Sequence, residues 1–260
     1  MISARIIPIW RYHFTYQLRF TGTWILFFLI TFLATTQGLI TEHAPELLKT
    51  LAGPGMSDIL ATSLPEPSWQ ESYAGWVKNL AQIVSLAFIV VNALSCARLS
   101  SGGDIPFILT RNVRRSDYLG WATFTVWVLT VFLAFLGATF MWLGTLLLFP
   151  GTPYLPILTA TLVWALQMII IYACQVLATT WKSGVGSPLI VGLGVYFFIA
   201  IAGMWDKAAN YTPLGLGKLT DQLAQNAPAP LWLWPILTSA LLIGLLTSAA
   251  IHRFNRIELG

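Results

Sequence analysis

The sequence predicts an all-α, polytopic membrane protein with six transmembrane helices, forming a single transmembrane domain over residues 1–260. Three observations predict it. Six long apolar stretches fill most of the chain, and the charges fall almost entirely between them. Charged residues make up 9% and hydrophobic residues 57% of the sequence, against about 25% charged in an ordinary soluble domain. A water-facing surface cannot be built from so few charges, whereas hydrocarbon favours apolar side chains and penalises charged ones. Finally, 12 Trp and 8 Tyr are present, rings whose apolar body and polar tip suit the headgroup level.

Residues 1–20 interleave Ile9, Trp10, Phe14, Tyr16 and Leu18 with Arg5, Arg11 and Arg19. This predicts an amphipathic interfacial helix on one leaflet, with Pro8 breaking it or starting a turn; a frayed tail of anchoring residues is the alternative. No apolar core with a small-residue cleavage site follows, so no cleaved signal is expected. Spans of about 20 apolar residues fall at residues 21–40, 74–95, 119–149, 154–180, 187–204 and 231–251. The third and fourth are long enough to tilt or project, and Pro150 and Gly151 begin the tight turn between them. The fifth is short and holds Gly192, Gly194 and Gly203, which suits close helix packing. Residues 41–73 read as an outer loop with short surface helices separated by Pro54, Pro65 and Pro67. Residues 205–230 read as an outer or re-entrant segment, with Leu216, Leu219 and Leu223 forming a short amphipathic helix.

Basic residues orient the set. With both termini in the cytoplasm, ten lie inside (Arg5, Arg11, Arg19, Arg98, Arg111, Arg114, Arg115, Lys182, Arg253, Arg256) and four outside (Lys49, Lys78, Lys207, Lys218). An excess of Lys and Arg marks the cytoplasmic face. The expected location is a prokaryotic plasma or inner membrane. No Lys/Arg tract suits nucleic acid. Cys96 and Cys174 fall at a helix end and within the bilayer, so neither a disulfide nor a metal site is expected from them.

The most specific local feature is the cytoplasmic loop over residues 96–118. Gly102, Gly103 and Asp104 start it in a manner suited to capping a short helix. Ile105, Phe107, Ile108 and Leu109 supply apolar surface, and Arg111, Arg114 and Arg115 supply charge. Exposed apolar residues beside a basic cluster describe a docking site; a positive-inside anchor lying in the headgroups fits the same composition.

The run from Gly103 to Leu119, ending Arg114-Arg115-Ser116-Asp117-Tyr118-Leu119, resembles the loop between spans two and three in integral membrane subunits of ABC-2 type ATP-binding-cassette exporters. The ending His252-Arg253-Phe254-Asn255-Arg256 is similar to that family's usual C-terminus. Asn112 stands where the family usually has proline, and its acidic residues upstream of the glycine are missing here. The resemblance implies an ABC-2 type exporter fold with an N-terminal amphipathic helix. It further implies that Asp104, Ile105, Phe107, Ile108, Leu109, Arg111, Arg114 and Arg115 couple the chain to an ATPase. The implied partners are ATP-binding-cassette ATPase subunits, a second permease subunit forming a homodimer or heterodimer, and membrane lipid.

The chain itself carries no GxxxxGK[ST] phosphate loop, no HExxH and no GxSxG. No catalytic residue, bound cofactor or metal is therefore expected; ATP and magnesium would sit on the partner subunit. His43 with Glu42 and Glu46 is the nearest approach to a metal-ligand set. Few ionisable groups lie in the spans, against a proton or sodium relay. Gln167 and Gln175, eight apart in the fourth span, share a helical face and either line a translocation path or hydrogen-bond between helices. The expected function is a permease subunit exporting a hydrophobic or amphiphilic substrate such as a lipid, peptide or drug-like molecule. The rival is a non-transport assembly or sensor protein whose loop docks a cytoplasmic partner.

Overall fold

The computed structural model describes residues 3–52, 67–101 and 113–256, with side chains described for 9–46, 67–99 and 113–256. All regular structure among these residues is helical. Helix α1 is Ser3–Arg19 and α2 is Thr21–Ala52. Helix α3, Trp69–Asn79, continues through a π-helical turn, Leu80–Val84, into α4, Ser85–Ser101. Helices α5, Arg115–Leu148, and α6, Tyr154–Thr179, form a long antiparallel pair. Helix α7 is Gly186–Ala202. Three short pieces follow: α8 (Asp206–Tyr211), a 3₁₀ turn (Pro213–Gly215) and α9 (Leu216–Ala224). Helix α10, Leu233–Phe254, completes the described chain.

Five helical rods are long and apolar enough to cross a membrane: α2, the α3–α4 rod, α5, α6 and α10. The chain is a multi-pass membrane protein. Its outer surface gives the physical reason. Phe28 and Phe32 on α2, Ile190, Phe198 and Ile201 on α7, and Leu237, Leu241 and Leu245 on α10 are all exposed. So much bare apolar area is stable in hydrocarbon and would drive association in water. The expected fifth span corresponds to α7, whose 17 residues reach about 26 Å at ~1.5 Å per residue, short of the ~30 Å hydrocarbon core.

Helix α6 is the hub. It packs against α4, α5, α7, α9 and α10, and 72% of its apolar stretch is buried, against 28% for α2 and 22% for α10. The last two therefore sit at the periphery. One apolar cluster joins Tyr73, Trp76, Met141 and Ile157 near one end of the bundle. A second joins Cys96, Leu119, Tyr172, Ala250 and Phe254 near the other. Several polar side chains between the rods are tied to one another, which a low-dielectric interior favours. Trp76 Nε1 donates to Thr161 Oγ1 at 3.1 Å, and Asn79 Nδ2 donates to Gln37 Oε1 at 2.7 Å.

Pro8, expected to break α1 or start a turn, does not interrupt it. Helix α1 runs through Pro8 and α2 runs through Pro45 to Ala52. Proline removes one backbone donor and crowds one carbonyl, and here the helical path continues past each. The α2 helix thus occupies the first part of what reads in sequence as the 41–73 loop; residues 53–66 lie outside the described residues.

Candidate functional site

Two places collect the residues singled out from the sequence: the end of the bundle bearing α1, and a cavity on the far side of α6.

At the first, Asp104, Ile105, Phe107, Ile108, Leu109 and Arg111 lie outside the described residues. Arg114 is exposed, and its carbonyl accepts the backbone N–H groups of Asp117 at 3.0 Å and Tyr118 at 3.1 Å, starting α5. Arg115 is the first residue of α5. Two arginines at a helix N-terminus oppose the macrodipole. Helix stability therefore does not explain their placement. Helix α1 lies across both flanks of the 96–118 loop. Gln17 Nε2 donates to Ser95 Oγ at 2.8 Å, and the Arg98 guanidinium sits 4.1 Å from the Tyr16 ring centre, on the α4 flank. His13 packs its ring 4.9 Å from that of Tyr118 on the α5 flank. Burial lowers the His13 pKa to about 4, against a smaller opposing effect from its contact with the Tyr118 backbone. Desolvation penalises the imidazolium, so the ring is neutral at pH 7.

The two glutamines of the fourth span separate. Gln175 is fully buried, and its Nε2 donates to the carbonyls of Ile89 at 2.9 Å and Pro188 at 3.2 Å. It ties α6 to α4 and α7. Gly192 makes room for it: a Cβ there would fall 2.5 Å from Gln175 Nε2 and 2.9 Å from Ile89 Cγ2. Gln167, two turns earlier, faces a cavity of about 410 Å³ enclosed by the π-helical turn, α6, α7 and α9. That volume is within the usual range for small-molecule sites, ~300–1,000 Å³.

Each wall of this cavity has a local cause. The π-helical turn sends the Ser85 N–H and Oγ–H back to the Leu80 carbonyl, the latter at 2.8 Å. Trp164 Nε1 then donates to Ser85 Oγ at 2.9 Å, fixing the indole in the floor. The Tyr196 hydroxyl donates to the Ala81 carbonyl within the same turn, pinning α7 to it. On the other side, Leu216 and Leu219 of α9 pack with Val163, Ile169 and Ile170, which brings α9 against the middle of α6. This turns the polar face of α9, with Lys218 and Asp221, toward the opening. Lys218 Nζ donates to Asp206 Oδ1 at 2.6 Å, and that bond lowers the Asp206 pKa. Asp221 is exposed at the mouth, yet crowding by the protein raises its carboxyl pKa.

Helical spacing pointed to Gln167 but not to the rim. Leucines at 216, 219 and 223 mark the buried face of α9, so Lys218 and Asp221 on its other face were the available signal. No pattern in the apolar run over residues 74–95 marks the π-helical turn. Elsewhere, His43 lies 3.5 Å from Glu46 and 3.9 Å from Glu42 in exposed pairs. No group of three His, Cys, Asp or Glu converges on a metal-sized site among the described residues.

A family profile matches residues 61–259, from ahead of α3 past the end of α10. The chain belongs to the DUF2705 family, described as proteins of unknown function. No curated protein matches the sequence. The DUF2705 match takes in both places just described except for α1 itself. It assigns no chemistry to either.

Proposed function

We propose that the chain is the permease subunit of an ABC-2 type exporter that moves a hydrophobic or amphiphilic substrate out of the cytoplasm. In this reading α7 completes a sixth crossing, both termini face the cytoplasm, and the membrane is a prokaryotic plasma or inner membrane. Separate ATP-binding subunits hold ATP and magnesium and supply hydrolysis. A second permease subunit, identical or related, completes the pathway.

The observation that carries the proposal is the clamp made by α1. Ser95 and Arg98 precede the 96–118 loop or begin it, Tyr118 ends it, and α1 holds all three. A push on the loop would therefore be delivered to α1, α4 and α5 together. Motion is transmitted when packed elements shift as a block between discrete arrangements. The basic end formed by Arg98, Arg114, Arg115 and Arg253 fits the cytoplasmic leaflet. Gln167 in a cavity beside the central helix supports a path for a largely apolar molecule with some polar character.

The test is co-expression of the full chain with ATP-binding-cassette ATPase subunits from the same genome, followed by purification on a tag carried by this chain. A stable complex whose ATP hydrolysis depends on the chain is the expected result. Arg114→Glu with Arg115→Glu and Phe107→Ser should lower the stimulated hydrolysis at least severalfold while membrane insertion persists. Unchanged hydrolysis together with unchanged assembly refutes the coupling assignment, and surface labelling that places Arg114 opposite Arg5 refutes the topology.

A further inference from the structure

Eight polar or ionisable side chains line the cavity beside α6, and nearly all are already engaged. Ser85, Trp164 and Tyr196 hydrogen-bond within the wall, and Thr220 Oγ1 donates to the Leu216 carbonyl at 2.8 Å. Lys218 and Asp206 form an ion pair. Two groups remain. Gln167 is only 9% exposed, points its amide into the cavity, and has no side-chain hydrogen bond among the described residues. An amide so placed carries a penalty unless something in the cavity meets it. Asp221, at the mouth, has no ion pair among the described residues. With Lys218 neutralised by Asp206, the opening carries one uncompensated negative charge. Trp164, Tyr196, Ile199 and Met204 line the same cavity.

We propose that this cavity binds an amphiphilic cation, with its protonated amine at Asp221, its apolar or aromatic body against Trp164, Tyr196 and Ile199, and a hydrogen-bonding group met by Gln167. Charge selects the ligand: an anion would face Asp221 unpaired, and a neutral molecule would leave that carboxylate without a partner. Aromatic faces beside the amine add to the preference for a cation. The raised pKa of Asp221 agrees, since a neighbouring cation would offset the desolvation that causes it. The site stands on the cavity alone; naming its ligand as the exported cargo rests on the function proposed above.

The experiment uses the full chain in dodecyl maltoside with no ATPase present, so that it tests the site and not export. The probes share one fluorophore: dansylcadaverine as the cation, its N-acetyl derivative as the neutral form, and dansyl-6-aminohexanoate as the anion. Fluorescence titration should show the cation binding about tenfold more tightly than the neutral form, the scale of one charge-assisted hydrogen bond, and the anion more weakly still. Asp221→Asn should bring cation and neutral form within about twofold of each other, and Asp221→Glu should restore the preference. Gln167→Leu should weaken cation and neutral form alike by about threefold to tenfold, the scale of a single hydrogen bond. Each variant must keep the parent's elution volume and melting temperature, and Asp221→Glu supplies the second reading if Asp221→Asn does not. Equal binding of all three probes by the parent overturns the proposal, as does a preference for the anion or a cation preference that survives Asp221→Asn.

Discussion

Gly192→Ala tests the packing of α7 on α6 most directly. The new Cβ would fall 2.5 Å from Gln175 Nε2 and 2.9 Å from Ile89 Cγ2. Gln175 cannot simply retreat, because its amide holds the Ile89 and Pro188 carbonyls at 2.9 and 3.2 Å. One methyl group therefore both overpacks the interface and loosens two hydrogen bonds between helices. Overpacking costs roughly 1–3 kcal/mol, and each hydrogen bond between membrane helices contributes about 0.6 kcal/mol. A total near 2–3 kcal/mol should lower the melting temperature by about 4–12 °C for a chain of this size. The assay is thermal unfolding in detergent for the parent, Gly192→Ala, Gln175→Ala and the double variant. Truncating Gln175 vacates the space that the methyl group needs, so the double variant should be more stable than the sum of the two losses by at least about 1 kcal/mol. A melting temperature for Gly192→Ala within about 1 °C of the parent, or strict additivity in the cycle, refutes the contact.

Further predictions concern α1 and the outer rim. The undocked state of α1 restores His13 to an ordinary pKa near 6.5, while the docked state holds it at about 4. Protons then favour undocking as pH falls from ~6.5 toward ~4, costing up to about 3 kcal/mol. Tryptic cleavage after Arg11 and Arg19 should accelerate in that window relative to His13→Leu, whereas identical pH profiles would contradict it. Gln17→Ala removes the bond to Ser95 Oγ and should raise amide exchange across α1 without changing that of α6; unchanged exchange in α1 would count against the clamp. The Lys218–Asp206 pair is exposed on both sides, so Asp206→Asn should change thermal stability by less than about 1 kcal/mol. A larger loss would mean that the pair holds α8 against α9.

The five membrane-length helices were legible because burial in lipid demands uninterrupted apolar length, and that is a one-dimensional property of the chain. Their boundaries were less so. Ending the first span at Ile40 fell short of α2, which runs on through Pro45 to Ala52. The weakness of α7 as a span was visible in its shortness and its glycines, and the structure shows what Gly192 is for: it accommodates the Gln175 amide. The role of that amide could not be read from spacing alone. Gln167 and Gln175 share a face by helical arithmetic, yet α7 and α4 cover one while the cavity receives the other. The π-helical turn over Leu80–Val84 shifts the register of everything after it, and no compositional signal announces a single added residue in an apolar run.

Inside a membrane, the fate of each polar side chain separates structure from function. Water cannot satisfy a stray amide there, so the fold must do so or a ligand must. Gln17, Gln37 and Asn79 find partners on other helices and act as ties between rods; Gln175 does so through Nε2, while its Oε1 is buried without a partner. Trp76 and Trp164 spend their indole N–H groups in the same way. Gln167 differs in that its whole amide lacks a side-chain hydrogen bond among the described residues, on the most buried helix of the bundle. Had its amide only a packing role, leucine would fill the space at lower cost. Its neighbours reinforce the point. The π-helical turn opens the wall, Tyr196 props α7 against it, and the return of α9 to mid-depth adds a lone carboxylate at the mouth. Two irregular features of the backbone and one side-chain prop thus meet at one cavity, and a straight helical bundle, simpler to encode, would have closed it.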